Sequence, residues 1–153
     1  MKFSVIIRFK DEERWIGHSI QSVIDIFSKD TDIVLINNKS IDNSLEIVNL
    51  FTNINTNSHK IKIIEIDNYT SGSSINKAVK YCDNENILIL SSHCQIKNIN
   101  FEKIKNLLNN YCAIWGKQIP IYFGKKINRN RYIVLFYKLI IDNIYRSDSI
   151  NFL

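Results

Sequence analysis

Several side chains that could bind an anion, a heterocyclic ring or a metal ion stand at the ends of short apolar runs. Arg8 and Lys10 close the first run with cations suited to a phosphate, and Glu12 adds an acceptor suited to a hydroxyl or an N–H group. Asn38 follows the second run with an amide that both donates and accepts. His93 follows a later run, and its imidazole is a ligand type used for divalent metals.

Each of these residues also has a structural interpretation. Glu12 and Glu13 are acids of the kind that complement the positive end of a helix dipole, and Asn38 could satisfy a strand-to-helix turn. A local metal motif would place further ligands, such as a carboxylate, near His93 in the sequence. No Asp or Glu stands near it. The spacing alone leaves both interpretations open.

Motifs of several common enzyme classes are absent from the sequence. The first strand–helix turn has neither G-x-G-x-x-G nor G-x-x-x-x-G-K-[ST], which disfavours ordinary dinucleotide and P-loop nucleotide binding. The chain also lacks G-x-S-x-G, H-E-x-x-H and C-x-x-C motifs. No nucleophile–base pair is therefore indicated.

Short apolar runs and amphipathic segments alternate along the chain, and they position these side chains. The predicted strands are 3–9, 32–37, 61–66, 86–90 and 112–115. Segments with helical apolar spacing follow the strands, the first of them with acids in its first turn and the second capped by Ser40 or Asp42. Residues 67–74 are predicted to be a loop, and 132–145 a strongly apolar helix.

This alternation predicts an α/β fold with a mostly parallel sheet flanked by helices. In such sheets, ligands bind where the strands end at their carboxyl edge. The loops that start near residues 8, 37, 67 and 91 are therefore expected to form one polar site.

Composition is that of an ordinary globular domain, with 153 residues of which 45% are hydrophobic and 23% charged. The sequence has no apolar run long enough to span a bilayer and no signal-peptide pattern, so we expect a cytoplasmic protein. Residues 114–153 hold seven of the 20 basic side chains but only two of the 15 acidic ones. This asymmetry favours an anionic partner there, either a membrane surface or a phosphate-bearing ligand, or else a solvated basic face.

Three segments carry a family resemblance when they are taken in order. Residues 8–13 (RFKDEE) follow the first strand, residues 37–42 (NNKSID) end the second, and Gly72 and then Asn76 precede the next predicted helix. These segments resemble the P-x-Y-N-E-E-like turn, the D-D-G-S-x-D pattern and the Gly–Asn loop of family 2 glycosyltransferases. The resemblance covers about residues 3–120 and implies the Rossmann-like GT-A fold, in its N-terminal nucleotide-sugar-binding half.

Two further segments resemble a subset of that family. Residues 90–94 (LSSHC) are similar to an L-S-A-H-C-like segment that replaces the metal-binding Asp-x-Asp, and residues 116–120 (GKQIP) to a G-R-Q-x-P-like segment. Ser91 and His93 thus stand where the family has its two motif aspartates.

The resemblance implies a nucleotide-sugar site composed of Phe9, Lys10, Glu12, Asn38, Ser40, Gly72, Asn76 and Ser91. His93 is the implied ligand of a divalent metal, with Mn²⁺ more plausible than Mg²⁺ because Mg²⁺ prefers oxygen ligands. Lys10 or Lys117 could instead neutralise the diphosphate. No residue is assigned as the catalytic base.

The implied activity is inverting transfer of a sugar from a nucleotide-sugar donor to a glycan or lipid-linked acceptor, in bacterial surface polysaccharide biosynthesis. The alternative is a non-catalytic nucleotide-binding or interaction module derived from such an enzyme, because both motif aspartates are replaced. A basic nucleic-acid binder would need a recognisable reading motif, which the sequence lacks, so no nucleic-acid partner is expected.

The length of the chain predicts a donor-binding core at 1–120, followed by a basic, apolar segment at 121–153 that begins a truncated acceptor half. Residues 132–145 could lie on an anionic membrane, peripheral to its inner face, or pack on the missing half of the enzyme. Left exposed, the same surface would favour homo-oligomers.

Overall fold

The computed structural model describes residues 1–54, 59–67, 69–119, 121–122, 125–126 and 131–138, with the backbone alone at 54, 118, 122, 126 and 131–138. The strands are β1 (Phe3–Phe9), β2 (Asp32–Asn37), β3 (Lys60–Glu65), β4 (Asn86–Ser91), β5 (Ala113–Gln118), β6 (Ile121–Tyr122), β7 (Lys125–Lys126) and β8 (Arg131–Lys138). The helices are α1 (Ile16–Ile26), α2 (Ser44–Ile54), α3 (Ser71–Val79) and α4 (Phe101–Asn110).

The main sheet has six strands in the order β3-β2-β1-β4-β8-β5. The first four are mutually parallel, and β8 pairs antiparallel with both β4 and β5, so that β5 runs in the same direction as β4. β6 and β7 form a separate antiparallel pair. The chain thus has the mixed α/β fold with a parallel four-strand core that the sequence predicts.

Alternating side chains of the central strands build two cores, one on each face of the sheet. Val5 and Ile7 of β1 pack with Ile20 of α1 on one face. Ile6 packs with Ala78 of α3 on the other face. Because both faces are covered, the central strands are almost continuously apolar, which is why their limits were readable from the sequence.

The predicted limits of β1 and β2 are confirmed, but three local predictions are wrong. The acids at 11–13 precede α1 rather than forming its first turn, because the helix begins at Ile16. α3 begins inside the predicted loop, since Thr70 and Ser73 form a capping box that starts the helix at Ser71.

The third wrong prediction is the apolar helix at 132–145. Residues 131–138 form strand β8, and the remainder lies outside the described residues. The segment is rich in β-branched and aromatic residues, and an apolar run of this length does not distinguish strand from helix by periodicity. Its insertion between β4 and β5 pairs both of its edges.

The predicted division at residue 120 stays a prediction, although β8 lies beyond it and pairs within the core sheet. Among the helices that the structure describes, none has the length and apolar character needed to cross a membrane.

Candidate functional site

The carboxyl ends of the four parallel strands meet at one edge of the sheet. Register places Phe9 beside Asn37, Asn37 beside Glu65, and Arg8 beside Ser91. The loops that leave these strand ends therefore lie together, as the sequence predicts, and form the candidate site.

The two turns that follow β1 and β2 are joined by reciprocal hydrogen bonds. The backbone N–H of Asp11 donates to Ser40 Oγ at 3.1 Å, and the Asp11 carboxylate accepts from the N–H of Ile41 at 2.8 Å. The N–H of Glu12 donates to Ser44 Oγ at 2.7 Å. Asp11 has a φ of 53° and Lys39 a φ of 50°. Asp is one of the few non-glycine residues that tolerate the left-handed backbone seen at Asp11.

Glu13 and Asp42 complete this connection. Asp42 Oδ2 accepts from the N–H of Glu13 at 2.9 Å and Oδ1 from the N–H of Ser44 at 2.9 Å. Glu13 Oε2 accepts from the backbone and side-chain nitrogens of Asn43 at 3.2 and 3.1 Å. These two acids therefore hold the site loops together, and Asp42 accepts from the N–H of the first residue of α2.

Hydrogen bonding also tunes the acidity of Asp42. Burial acts to raise the pKa of its carboxyl, but hydrogen bonds from the Ser44 side chain and from the backbone N–H groups of Glu13 and Ser44 together hold that pKa below its ordinary value. A depressed pKa means that the charged form stabilises the fold, and that this contribution is lost as pH falls through the depressed pKa.

We expect Asp42→Asn to lower stability at neutral pH, because the amide can accept one of the two backbone bonds but turns N–H groups toward the other donor. The deficit relative to the wild type should hold above about pH 5 and shrink below about pH 4. Urea unfolding of both chains at a series of pH values measures it. A deficit that stays constant down to pH 3 would contradict the role given to the Asp42 charge.

The predicted site residues of the first two loops differ in exposure. The Phe9 side chain is 3% exposed and lies in the core, whereas its carbonyl accepts from the N–H of Asn38 at 3.0 Å. Asn38 is half-buried at the rim, Lys10 is exposed, and Ser40 is held by Asp11. A ligand at this edge can therefore reach the side chains of Lys10 and Asn38.

Glu12 and His93 face each other across the ends of β1 and β4. Glu12 Oε1 lies 3.5 Å from His93 Nδ1, with 23% of the glutamate side chain and 56% of the imidazole exposed. Ser91 is half-buried beside them at the end of β4. The structure thus brings together three residues from two distant parts of the sequence.

The geometry of this pair can be compared with that of a metal-binding site. A separation of 3.5 Å is close to the roughly 3 Å between neighbouring ligands of a six-coordinate divalent cation. Within the described part of the chain, no group of three or more His, Cys, Asp or Glu side chains is gathered in a metal-binding arrangement. Glu12 and His93 are therefore two candidate ligands, which would hold a cation only together with further ligands.

The remaining predicted residues lie on α3. Gly72 is in its first turn, where an added Cβ would meet no atom within 4 Å, and Asn76 is exposed one turn later. Neither makes a described contact with the Glu12–His93 pair, so their assignment stays a prediction.

Sequence reasoning missed a network centred on Arg8. Its Nη1 donates to Tyr69 Oη at 3.0 Å, to the carbonyl of Ser71 at 3.3 Å and to Ser74 Oγ at 3.4 Å. The guanidinium carbon lies 5.8 Å from the centre of the Tyr69 ring, within cation–π range. The only sequence feature that pointed to this network is the position of Arg8 near the end of a strand.

A cavity of about 240 Å³ opens at the carboxyl end of β3. It is lined by Ile66, Asp67, Ser73, Ser74 and Lys77. A hydrogen bond from Lys39 at 2.8 Å, together with its charge, lowers the pKa of Asp67, so this carboxyl is ionised at neutral pH. The walls therefore offer hydroxyl, carboxylate and ammonium groups beside one apolar side chain.

A comparison with family models adds the decisive observation, a match of residues 4–152 to Glycosyl transferase family 2. The chain belongs to this family. A comparison with curated protein sequences gives no match.

Several solved structures share the fold of this family 2 chain. S. aureus TarS 1-349 in complex with UDP aligns with a TM-score of 0.65 at 21% identity, over 84% of this chain and 38% of that one. The same TarS fragment in complex with UDP-GlcNAc gives a TM-score of 0.65. The mannosyltransferase PcManGT from Pyrobaculum calidifontis, in complex with GDP-Man and Mn²⁺, gives 0.67 at 12% identity, over 89% and 44%.

At these identities the likeness to solved structures shows the fold alone. The family 2 chain spans 38% of the TarS structure and 44% of the mannosyltransferase, so it corresponds to less than half of either. Assignment to the subset with an L-S-A-H-C-like segment stays a prediction.

Proposed function

We propose that this chain is the donor-binding part of a glycosyltransferase, which transfers a sugar from a nucleotide-sugar to a glycan or lipid-linked acceptor. The observation that carries the proposal is the Glu12–His93 pair at the carboxyl edge of a family 2 sheet. Lys10, Asn38 and Ser91 stand at or next to the ends of the strands at the same edge. Structures of the same fold hold UDP, UDP-GlcNAc or GDP-Man, which supports a nucleotide-sugar as ligand.

In this proposal the base lies over the ends of β1 and β2, where the Asn38 amide can donate to or accept from its edge. Lys10 is exposed and supplies a positive charge for the diphosphate. Ser91 adds a hydroxyl at the end of β4. Gly72 and Asn76 complete the predicted donor site on α3.

Glu12 and His93 would hold a divalent cation together with the diphosphate. Held there, a cation would supply positive charge to stabilise a diphosphate leaving group. We favour Mn²⁺ over Mg²⁺ because one of the two protein donors is an imidazole nitrogen.

The transfer itself requires a base that deprotonates the acceptor hydroxyl as it attacks the anomeric carbon. No residue of this chain is assigned that role, and residues 103–141 contain no Asp or Glu. We place the base on an acceptor half outside the described residues. Inversion, a role in surface polysaccharide biosynthesis, a cytoplasmic location with peripheral membrane contact, and homo-oligomers stay predictions.

The second candidate is a non-catalytic nucleotide-binding or interaction module. The replacement of both motif aspartates by Ser91 and His93 favours it. A nucleotide-binding module would differ from the first candidate in turnover, and an interaction module would differ from it in donor binding as well.

Calorimetric titration with UDP, GDP, CMP and dTDP, each with and without Mn²⁺, tests the proposal. We expect saturable binding of one nucleotide, strengthened by Mn²⁺. No binding of any nucleotide to a folded sample would overturn the donor site and leave only an interaction module. Measurable hydrolysis or transfer of the matching nucleotide-sugar would favour the first candidate.

We expect Asn38→Ala to weaken the binding of nucleotides with different bases unequally, by up to about tenfold for the preferred one, because a hydrogen bond to the base is lost. Asn49→Ala, which removes an exposed amide from α2, is the matched control. Titration with the four nucleotides measures the ratios. An equal loss for every base would show that Asn38 has only a structural role.

A further inference from the structure

Arg8 stands where the family's P-x-Y-N-E-E-like turn has proline, which has no side-chain donor. Arg8 lies near the end of the central strand β1, two residues after the buried Ile6. Because side chains of a strand alternate between faces, both lie on the face that α3 covers.

All of the described acceptors of Arg8 belong to residues 69–74, which lead into α3 and form its first turn. Tyr69 precedes the helix, Ser71 begins it, and Ser74 lies at its first turn. Ser74 is 1% exposed and also donates to the carbonyl of Ser71 at 3.0 Å, so the guanidinium binds a segment that is already internally bonded.

The same segment forms one wall of the polar cavity at the end of β3. Ser74 accepts a hydrogen bond from Arg8 and also lines the cavity. Ser73 lines the cavity as well, and its N–H donates to the Thr70 hydroxyl. A shift of this segment would therefore change the shape of the cavity beside the ends of β2 and β3.

We propose that Arg8 is a positioning residue that fixes the Tyr69–Ser74 segment against the end of β1 and thereby sets the affinity of the chain for its nucleoside diphosphate. This inference rests on the proposed donor site. Arg8 acts through Tyr69, Ser71 and Ser74, and it does so by a planar guanidinium that combines hydrogen bonding with contact to an aromatic ring.

Two variants with matched controls test this role. Arg8→Lys keeps the charge but removes the planar group, and Arg14→Lys makes the same change at an exposed position. Tyr69→Phe removes one acceptor and keeps the ring, and Tyr81→Phe does so at a tyrosine of nearly equal exposure, 44% against 45%.

Hydrogen exchange and nucleotide titration are measured on all four variants and the wild type. We expect Arg8→Lys and Tyr69→Phe to speed exchange at the amides of Ser73 and Ser74, while exchange in β1 and β2 stays unchanged. Affinity for the preferred nucleoside diphosphate should fall about tenfold in Arg8→Lys and about threefold in Tyr69→Phe. Neither control should change either measurement.

The outcomes separate this inference from the proposed function. Wild-type binding that is unaltered in Arg8→Lys and Tyr69→Phe would overturn the role of Arg8 and leave the donor site standing. Affinity lost without faster exchange at Ser73 and Ser74 would also overturn positioning. If the folded wild type binds no nucleotide, the proposed function fails and this role fails with it.

Discussion

Asp32→Asn is expected to lower the free energy of unfolding by about 3 kcal/mol, because Asp32 is a buried acceptor with three donors. It is 2% exposed and accepts from Ser4 Oγ at 2.6 Å, from Asn84 Nδ2 at 2.6 Å and from the N–H of Asp83 at 3.2 Å. An asparagine would turn its own N–H groups toward donors that now point at a carboxylate. These bonds join β1, β2 and the turn before β4 at the amino edge of the sheet.

Asp30→Asn is the matched control, since Asp30 is exposed and its carboxylate pairs with Lys2 at 3.3 Å. Exposed ion pairs contribute little, so the control should lose less than about 0.5 kcal/mol. Urea unfolding followed by circular dichroism measures both. Equal stabilities of the two variants would show that the buried network at Asp32 does not stabilise the fold as argued.

His93→Ala is expected to weaken nucleoside diphosphate binding about tenfold when Mn²⁺ is present, and to remove most of the enhancement by Mn²⁺. The imidazole is one of two protein donors in the pair with Glu12, so its loss leaves a single carboxylate for a cation. Stability should hardly change, because the side chain is more than half exposed.

His18→Ala, which removes an exposed imidazole from α1, is the control and should bind like the wild type. Calorimetric titration with and without Mn²⁺ gives the result, and a melting curve shows that each variant is folded. Unchanged affinity in folded His93→Ala would remove this residue from the donor site.

The sheet was predictable because its central strands are buried on both faces. β1 and β2 are almost continuously apolar in their interiors, and their predicted limits agree with the structure. The edge of the sheet at which the polar loops meet then follows from parallel pairing alone.

Side-chain contacts between distant parts of the chain were not predictable. Arg8 and Tyr69 are separated by 61 residues, and Ser4 and Asp32 by 28, so no local periodicity signals either pair. The bonds of Asp11 to Ser40 and Ile41 were hidden for the same reason. From local spacing, only the type of each of these residues and its position at or near the end of a strand could be inferred.

β8 illustrates the opposite failure, in which local pattern was misleading. Its apolar residues cover more than one helical face, a pattern that fits a buried strand equally well. Tertiary pairing with β4 and β5 decides the outcome.

Nuclear magnetic resonance mapping of the preferred nucleotide on the ¹⁵N-labelled chain tests the central claim most directly. We predict that the amide shifts concentrate at 10–12, 38–40 and 91–93, on the carboxyl edge of the sheet. The amino edge offers a rival cavity of about 220 Å³, lined in part by Lys2, Lys60 and Asn84. Shifts confined to that edge would contradict the donor site proposed for this chain.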